Sequence, residues 1–485
     1  MATCVHGRQT MATTVNLGKI LPSAAILLAT LATSGCVTSP VYTVKPAPAQ
    51  LECVTRASDK DVLIGLSVSG GGSRAALFAA GAFEALGRLR VGPEQRSLLE
   101  QVSYISSVSG GSLASAYFAL LKPTHETPVL TKDGQMTEEY RGFFTGFKEA
   151  MAQDYEGPLL RRQIFRLRWF NPAWTARSLA EILSEEYLGE MTFAGLARRE
   201  AQGDSPHLLV NTTLYNDGRR FVLTTLERDA LRYDFIKVLQ RNSGADKMTE
   251  EAESILRVRW EALQSKTPQD VGLNVCQVKV AGAVAGSMSF PPVIGPISFH
   301  VADQNQYWHA GDGGLSDNTG AESLLMVFLK QLQEKKARRA LIIAFDSSFP
   351  FSVGGRVLNF RSEGFSLFNY DFSRIPSIME ERSIAYRAMF FRIAQRQGLL
   401  PDHRTLSVVM LRHTDAEWKE DLSELPDSCR KEGVNLKSPK EVGEHLAGIV
   451  TRLWLKSTCD RDLLLTAAAK VVVQNEEKIR KFLEQ

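Results

Sequence analysis

The chain has almost no imbalance of charge. In its 485 residues, 57 Lys and Arg stand against 54 Asp and Glu, a formal net charge of +3. A nucleic-acid binder would carry a much stronger basic excess, so no charged polymer is expected as partner. The 6 cysteines and 8 histidines contain no Cys-x-x-Cys and no His-x-x-x-His spacing, which argues against a structural zinc site. There is no Gly-x-x-x-x-Gly-Lys-Ser/Thr, and so no phosphate cradle of a nucleoside triphosphatase. Tandem repeats and low-complexity segments are missing too. What is present is an average globular composition, 44% hydrophobic and 23% charged. It suffices for one large α/β domain with extensions, or for two to three ordinary domains.

The first forty residues differ from the rest. Arg8 and Lys19 precede an apolar run, Ile20 to Leu31, which is shorter than the about 20 residues of a membrane span. Small residues follow, Ala32-Thr33-Ser34-Gly35, and then Cys36. A basic start, a short apolar core and a small-residue end form the pattern of a secretory signal. A cysteine directly after small residues resembles a bacterial lipoprotein box, although Thr33 stands where Leu is usual. The expectation is a signal over 1–36, lipidation of Cys36, and a place in the cell envelope as an outer-membrane or periplasmic lipoprotein. Plain secretion is the fallback, and Met11 is an alternative start. Export would leave Cys53, Cys276, Cys429 and Cys459 in an oxidising compartment. Cys429 and Cys459 are then the first candidates for a bridge, with buried free thiols as the alternative.

Residues 37–60, with Pro40, Pro46 and Pro48, read as a linker. Ordered structure is expected from Asp61, where Val62 to Val68 has the length and apolarity of a buried strand. Ser69-Gly70-Gly71-Gly72-Ser73-Arg74 follows, and then Ala76, Ala79, Ala80, Phe83 and Leu86 at helical spacing. The unit recurs: Val102 to Val108 as strand, Ser109-Gly110-Gly111 as turn, Leu113 to Leu120 as helix. Two such units imply parallel strands in a three-layer α/β/α sandwich with a mainly parallel central sheet. Further strands are expected at Leu208–Val210, Val278–Val280, Leu341–Phe345 and Leu406–Leu411. A surface helix is expected over 245–270 and an amphipathic helix from about 462. The division is a catalytic domain over 61–415 and a helical extension over 416–485.

Three segments suggest chemistry. In Ser107-Val108-Ser109-Gly110-Gly111, a serine at a sharp strand-to-helix turn has its oxygen pushed out of the scaffold, as attack on an ester requires. The helix start also favours a developing negative charge there. The bland reading is a helix-capping serine. Ser107 replaces the Gly of the usual Gly-x-Ser-x-Gly. Gly70-Gly71-Gly72 leaves backbone N–H groups unobstructed for an anion, whether an oxyanion or a phosphate. Gly70-x-Gly72-x-x-Ala75 also fits a relaxed dinucleotide fingerprint, but the next strand lacks the acidic end that grips a ribose. The third segment is Gly311-Asp312-Gly313-Gly314. No histidine stands in a motif; His309 is the best placed for a Ser–His–Asp triad.

In this order and spacing the segments resemble the patatin-like phospholipases, which carry a Gly-Gly-Gly-x-Arg/Lys loop, a Gly-x-Ser-x-Gly elbow and an Asp-Gly-Gly/Ala segment. Ala281 to Pro292, with Phe290-Pro291, resembles that family's small-residue stretch. The resemblance covers about residues 61–350. It implies a lipid acyl hydrolase with Ser109 as nucleophile, Asp312 as its acid–base partner, and neither metal nor cofactor. It further implies an oxyanion hole at Gly70, Gly71 and Gly72, with Gly71 and Gly72 as donors and Gly70 shaping the loop. Arg74, Gly111, Gly313 and Gly314 would support the site, Arg74 by stiffening the loop or by lending charge near a phosphate. The substrate would be a phospholipid or other acyl lipid, met at a membrane surface through the lipid anchor. A short-chain esterase or acyltransferase on the same dyad, and a non-catalytic lipid-binding lipoprotein, stand as alternatives. Arg161, Arg162, Arg166 and Arg168 interleave with Ile164, Phe165, Leu167, Trp169 and Phe170, which suits an anionic lipid surface or a partly buried helix.

Overall fold

The computed structural model describes residues 41–48, 52–166, 172–233, 264–348 except 292 and 303, and 403–484, with isolated positions between them. The signal-like segment, Cys36, most of the charged stretch 245–270, and Leu167, Trp169 and Phe170 lie outside the described residues. Pro40–Gln485 forms one unit by its internal contacts.

Strand β1 (Val41–Val44) is followed by β2 (Val62–Val68), α1 (Gly72–Arg88), β3 (Tyr104–Val108) and α2 (Gly110–Leu121). Helices α3 (Glu138–Met151), α4 (Glu156–Phe165), α5 (Pro172–Leu183) and α6 (Phe193–Gln202) come next. Then follow β4 (His207–Leu214), β5 (Arg220–Thr224), α7 (Val280–Ser287), β6 (Ile297–Val301), β7 (Gln306–Asp312) and α8 (Ala321–Gln333). The chain closes with β8 (Arg339–Asp346), β9 (Thr405–Arg412), α9 (Pro439–Gly448), α10 (Thr458–Gln474) and α11 (Glu476–Glu484).

The strands form a nine-stranded sheet in the order β1-β6-β7-β4-β3-β2-β8-β9, with β5 alongside β4. From β4 to β9 the sheet is parallel throughout. Antiparallel pairs join β4 to β5 and β7, and β6 to β7. Side chains alternate across it, as the two-residue strand period demands. In β8, Leu341, Ile343 and Phe345 enter the larger core, while Ala340, Ile342 and Ala344 enter a second core shared with Leu324 and Phe328 of α8. Helices on both faces make the three layers expected of apolar parallel strands.

Three expectations differ from the structure. Val278–Val280 is not a strand; it leads into α7, whose eight residues are all buried. An apolar segment buried on every side shows no periodicity to tell helix from strand. The expected linker is attached where it is described. β1 pairs in parallel with β6, Val41 opposite Ser298, and Cys53 is bonded to Cys276. The extension after residue 416 is not set apart either: Leu463, Leu464, Ala467 and Ala468 of α10 belong to the same core as Phe78 and Phe83 of α1. Cys429 and Cys459 are bridged.

Candidate active site

Ser109 stands between the end of β3 and the start of α2 with φ 51° and ψ −125°. A non-glycine residue held at positive φ is a strained position that the surroundings must impose. They do so by interlocking small residues. A Cβ on Gly110 would run into the Gly72 carbonyl, and one on Gly111 would lie 2.5 Å from the Ser69 carbonyl oxygen. Ser287, at the end of α7, accepts the Ser109 N–H at 2.9 Å, meets Ser112 Oγ at 3.0 Å and donates to the Asn211 carbonyl at 2.6 Å. Ser107, where the usual motif has Gly, is fully buried with its hydroxyl directed to the Leu209 carbonyl at 3.4 Å. The substitution is thus accommodated within the sheet.

Asp312 ends β7 and is 3% exposed. Its Oδ1 accepts the Gly314 N–H at 2.7 Å, and the Ser109 side chain lies near enough to act on its carboxyl. Burial pushes this carboxyl up to about 7, against the opposing pull of the Gly314 N–H and the Ser109 hydroxyl. Gly313 lets the chain pass the Asn211 carbonyl, which a Cβ would strike. The Asp312 N–H donates to the Ser289 carbonyl at 3.0 Å, so the stretch before Phe290-Pro291 anchors the carboxyl.

The glycine loop lies against the elbow. A Cβ on Gly70 would come within 3.3 Å of the Ser109 Cβ. The Gly70 N–H, however, donates to the Asn318 carbonyl at 2.9 Å. Gly70 therefore shapes the turn and is not a free donor. The N–H groups of Gly71 and Gly72, at φ 142° and 60°, have no acceptor among the described residues. Nor has the N–H of Gly110, the residue after Ser109, which the motif reading did not single out.

Arg74 resolves between its two expected roles. It is 1% exposed, and its guanidinium donates to the carbonyls of Ser347, at 2.9 Å, and Ile449, and to Thr451 Oγ1 at 3.2 Å. The Ser73 N–H donates to the Arg452 carbonyl at 2.7 Å. Arg74 is thus a strut between the glycine loop and residues 449–452, and its charge is not offered to a phosphate.

His309 is not brought to the serine. Its Nδ1 meets Ser298 Oγ at 2.7 Å across the β6–β7 pair. Three residues along a strand place His309 and Asp312 on opposite faces. The only grouping of possible metal ligands among the described residues, His445, Cys459 and Asp460, includes a sulfur already in a disulfide. In the basic stretch, Arg162, Arg166 and Arg168 pair with Glu181, and Arg162 also with Glu185. The basic face is therefore largely neutralised within the protein. Arg161 is exposed without an ion pair among the described residues, and beside it Leu160, Ile164 and Phe165 are 62%, 52% and 83% exposed.

Fold and site together define an α/β protein with a serine raised at a strand-to-helix elbow against a buried carboxyl. The profile of the patatin-like phospholipases matches residues 66–325. The chain belongs to that family. No curated protein matches the sequence significantly. Among solved structures, human GIVD cytosolic phospholipase A2 is similar at 12% identity and TM-score 0.45, over 87% of this chain and 60% of that one. The same enzyme in complex with methyl gamma-linolenyl fluorophosphonate matches at 14% identity and TM-score 0.45, over 88% and 59%. VipD from Legionella pneumophila matches at 10% identity and TM-score 0.26, over 92% and 73%. The chain thus spans about 60% of the length of the human enzyme.

Proposed function

We propose that the protein is a serine lipid acyl hydrolase, of phospholipase A or lysophospholipase type, working through a Ser109–Asp312 dyad. The carrying observation is the seating of Ser109, at the strand-to-helix elbow, beside a buried carboxyl whose proton affinity is matched to neutral pH. Asp312 accepts the Ser109 proton as Oγ bonds to the acyl carbon. The tetrahedral oxyanion is held by the N–H groups of Gly71 and Gly72, and of Gly110. The ester C–O bond breaks, the leaving alcohol takes the proton from Asp312, and the acyl group stays on Ser109. Water, deprotonated by Asp312, then attacks the acyl-enzyme and releases the fatty acid. Exposed Leu160, Ile164 and Phe165 are suited to contact with acyl chains, with the exposed Arg161 beside them. The signal-like segment and Cys36 support a lipid-anchored place in the cell envelope, beside such substrates.

The test is covalent labelling by a fluorophosphonate with the adduct mapped by mass spectrometry. The adduct is expected on Ser109 and is lost in Ser109→Ala. A folded wild-type protein that stays unlabelled overturns the assignment. Hydrolysis of diacyl and lysophospholipids, set against matched short-chain esters, decides the substrate class. Mass spectrometry of the envelope protein should find a diacylglyceryl group on Cys36; an unmodified Cys36 rejects the anchor.

A further inference from the structure

A second cavity lies at the other end of the sheet from Ser109. It measures about 220 Å³ and sits at the N-terminal ends of β2, β3 and β4. Lys60, Ser103, Lys122 and Tyr140 are among its walls. Ser103 is 6% exposed and its hydroxyl has no hydrogen-bond partner. Tyr140 is 3% exposed, and its phenol has no partner among the described residues. A buried hydroxyl left unmatched costs about 1–3 kcal/mol, so the Ser103 hydroxyl needs an explanation, and the Tyr140 phenol stands beside it without a partner among the described residues.

The charged groups point the same way. Lys60 and Lys122 have no carboxylate partner among the described residues; the only acceptor of the Lys122 ammonium is the Pro123 carbonyl, at 3.3 Å. Asp59 acts on Lys60 without forming an ion pair with it, and the other nearby carboxylates are already committed. Glu100 accepts from Arg96 Nε at 2.7 Å and from the Val129 N–H at 2.8 Å. Glu200 accepts from the Leu208 N–H at 3.2 Å and meets His207 Nδ1 at 3.0 Å. Asp204 accepts the His125 N–H at 2.8 Å. The last carbonyls of α2, which would repel an anion, are covered by Arg199, donating to Ala119 at 3.3 Å and Lys122 at 3.0 Å. The cavity therefore holds two ammonium groups and two hydroxyls in want of an acceptor.

We infer that this cavity is an anion site taking a tetrahedral phosphate, either free or as a small phosphomonoester, held by Lys60, Lys122, Ser103 and Tyr140. A phosphate offers several strong acceptor oxygens and satisfies all four groups at once. Burial and the Arg199 guanidinium push the Lys122 ammonium down to about 8; a bound dianion supplies the missing opposite charge. The inference rests on this cavity and not on the hydrolase assignment.

The experiment is isothermal titration calorimetry on the full chain with inorganic phosphate and, separately, glycerol 3-phosphate, each against sodium chloride of equal ionic strength. Saturable binding is expected with at least one probe. Tighter binding of glycerol 3-phosphate identifies a phosphomonoester; binding of inorganic phosphate alone identifies the free ion. Lys122→Met should weaken the interaction about tenfold or more, the loss expected for a hydrogen bond to a charged group. Tyr140→Phe and Ser103→Ala keep the packing and remain informative should Lys122→Met fail to fold; each should also weaken binding. No saturable binding of either probe to the wild type overturns the inference. So does unchanged affinity in Tyr140→Phe and Ser103→Ala together.

Discussion

Replacing Asp312 by Asn should abolish turnover and, at alkaline pH, make the protein more stable. The wild-type carboxyl is buried and holds its proton up to about 7, whereas its ordinary value is 3.8. Between these values the folded state binds more protons than the unfolded state, so wild-type stability falls as pH rises. The gap corresponds to roughly 4 kcal/mol, spread over that window and constant above it. Asn carries no charge to desolvate, and its Oδ1 still accepts the Gly314 N–H that lies 2.7 Å from Asp312 Oδ1. The two proteins should therefore unfold alike near pH 4 and differ by up to that amount at pH 8, with the variant ahead. Urea unfolding at pH 4, 6 and 8, followed by circular dichroism, measures the difference directly. A stability difference that stays flat with pH, or that favours the wild type at pH 8, refutes the picture of a desolvated carboxyl at the site.

Under the proposed dyad the same carboxyl sets the rate. The logarithm of kcat/KM should rise with unit slope below about pH 7 and level off above it, as titration of a single general base requires. A profile flat from pH 5 to 8 would count against Asp312 as base. His309→Ala should keep most of the activity, because its ring is bonded to Ser298 at 2.7 Å; a loss of a hundredfold or more, on the order of what a triad member contributes, contradicts this. Gly110→Ala forces a methyl group against the Gly72 carbonyl. It should lower kcat by about 10²–10³ through displaced oxyanion donors, measured on a protein whose circular dichroism is unchanged. Cys429→Ser with Cys459→Ser opens a link between residues 30 apart and should lower unfolding stability by roughly 3 kcal/mol, read from urea midpoints.

The legible parts of the chain were those with one dominant local signal. β2 and β3 are continuous apolar runs ended by glycines, and the helices after them begin at once, so the strand–turn–helix units and the parallel sheet followed. β5, β6 and β7 escaped because their sequences mix polar and aromatic residues, as in Gln306-Tyr307-Trp308-His309, with no run to mark a strand. β1 escaped because four residues between prolines look extended but not paired. At the site, Ser109, Asp312 and the glycine loop were readable, since chemistry restricts residue type at such turns. Their supports were not. Ser287 and Asn318 are ordinary polar residues in sequence, and the partners of Arg74 at Ile449 and Thr451 lie more than 370 positions away. Only the folded sheet brings them together.

The strut from Arg74 to residues 449–452 has a consequence for how the enzyme comes into being. The glycine loop is translated early, but its clamp follows more than 370 residues later. A nascent chain, or one cut short before Ile449, would carry the nucleophile and the carboxyl yet leave the amide donors unbraced.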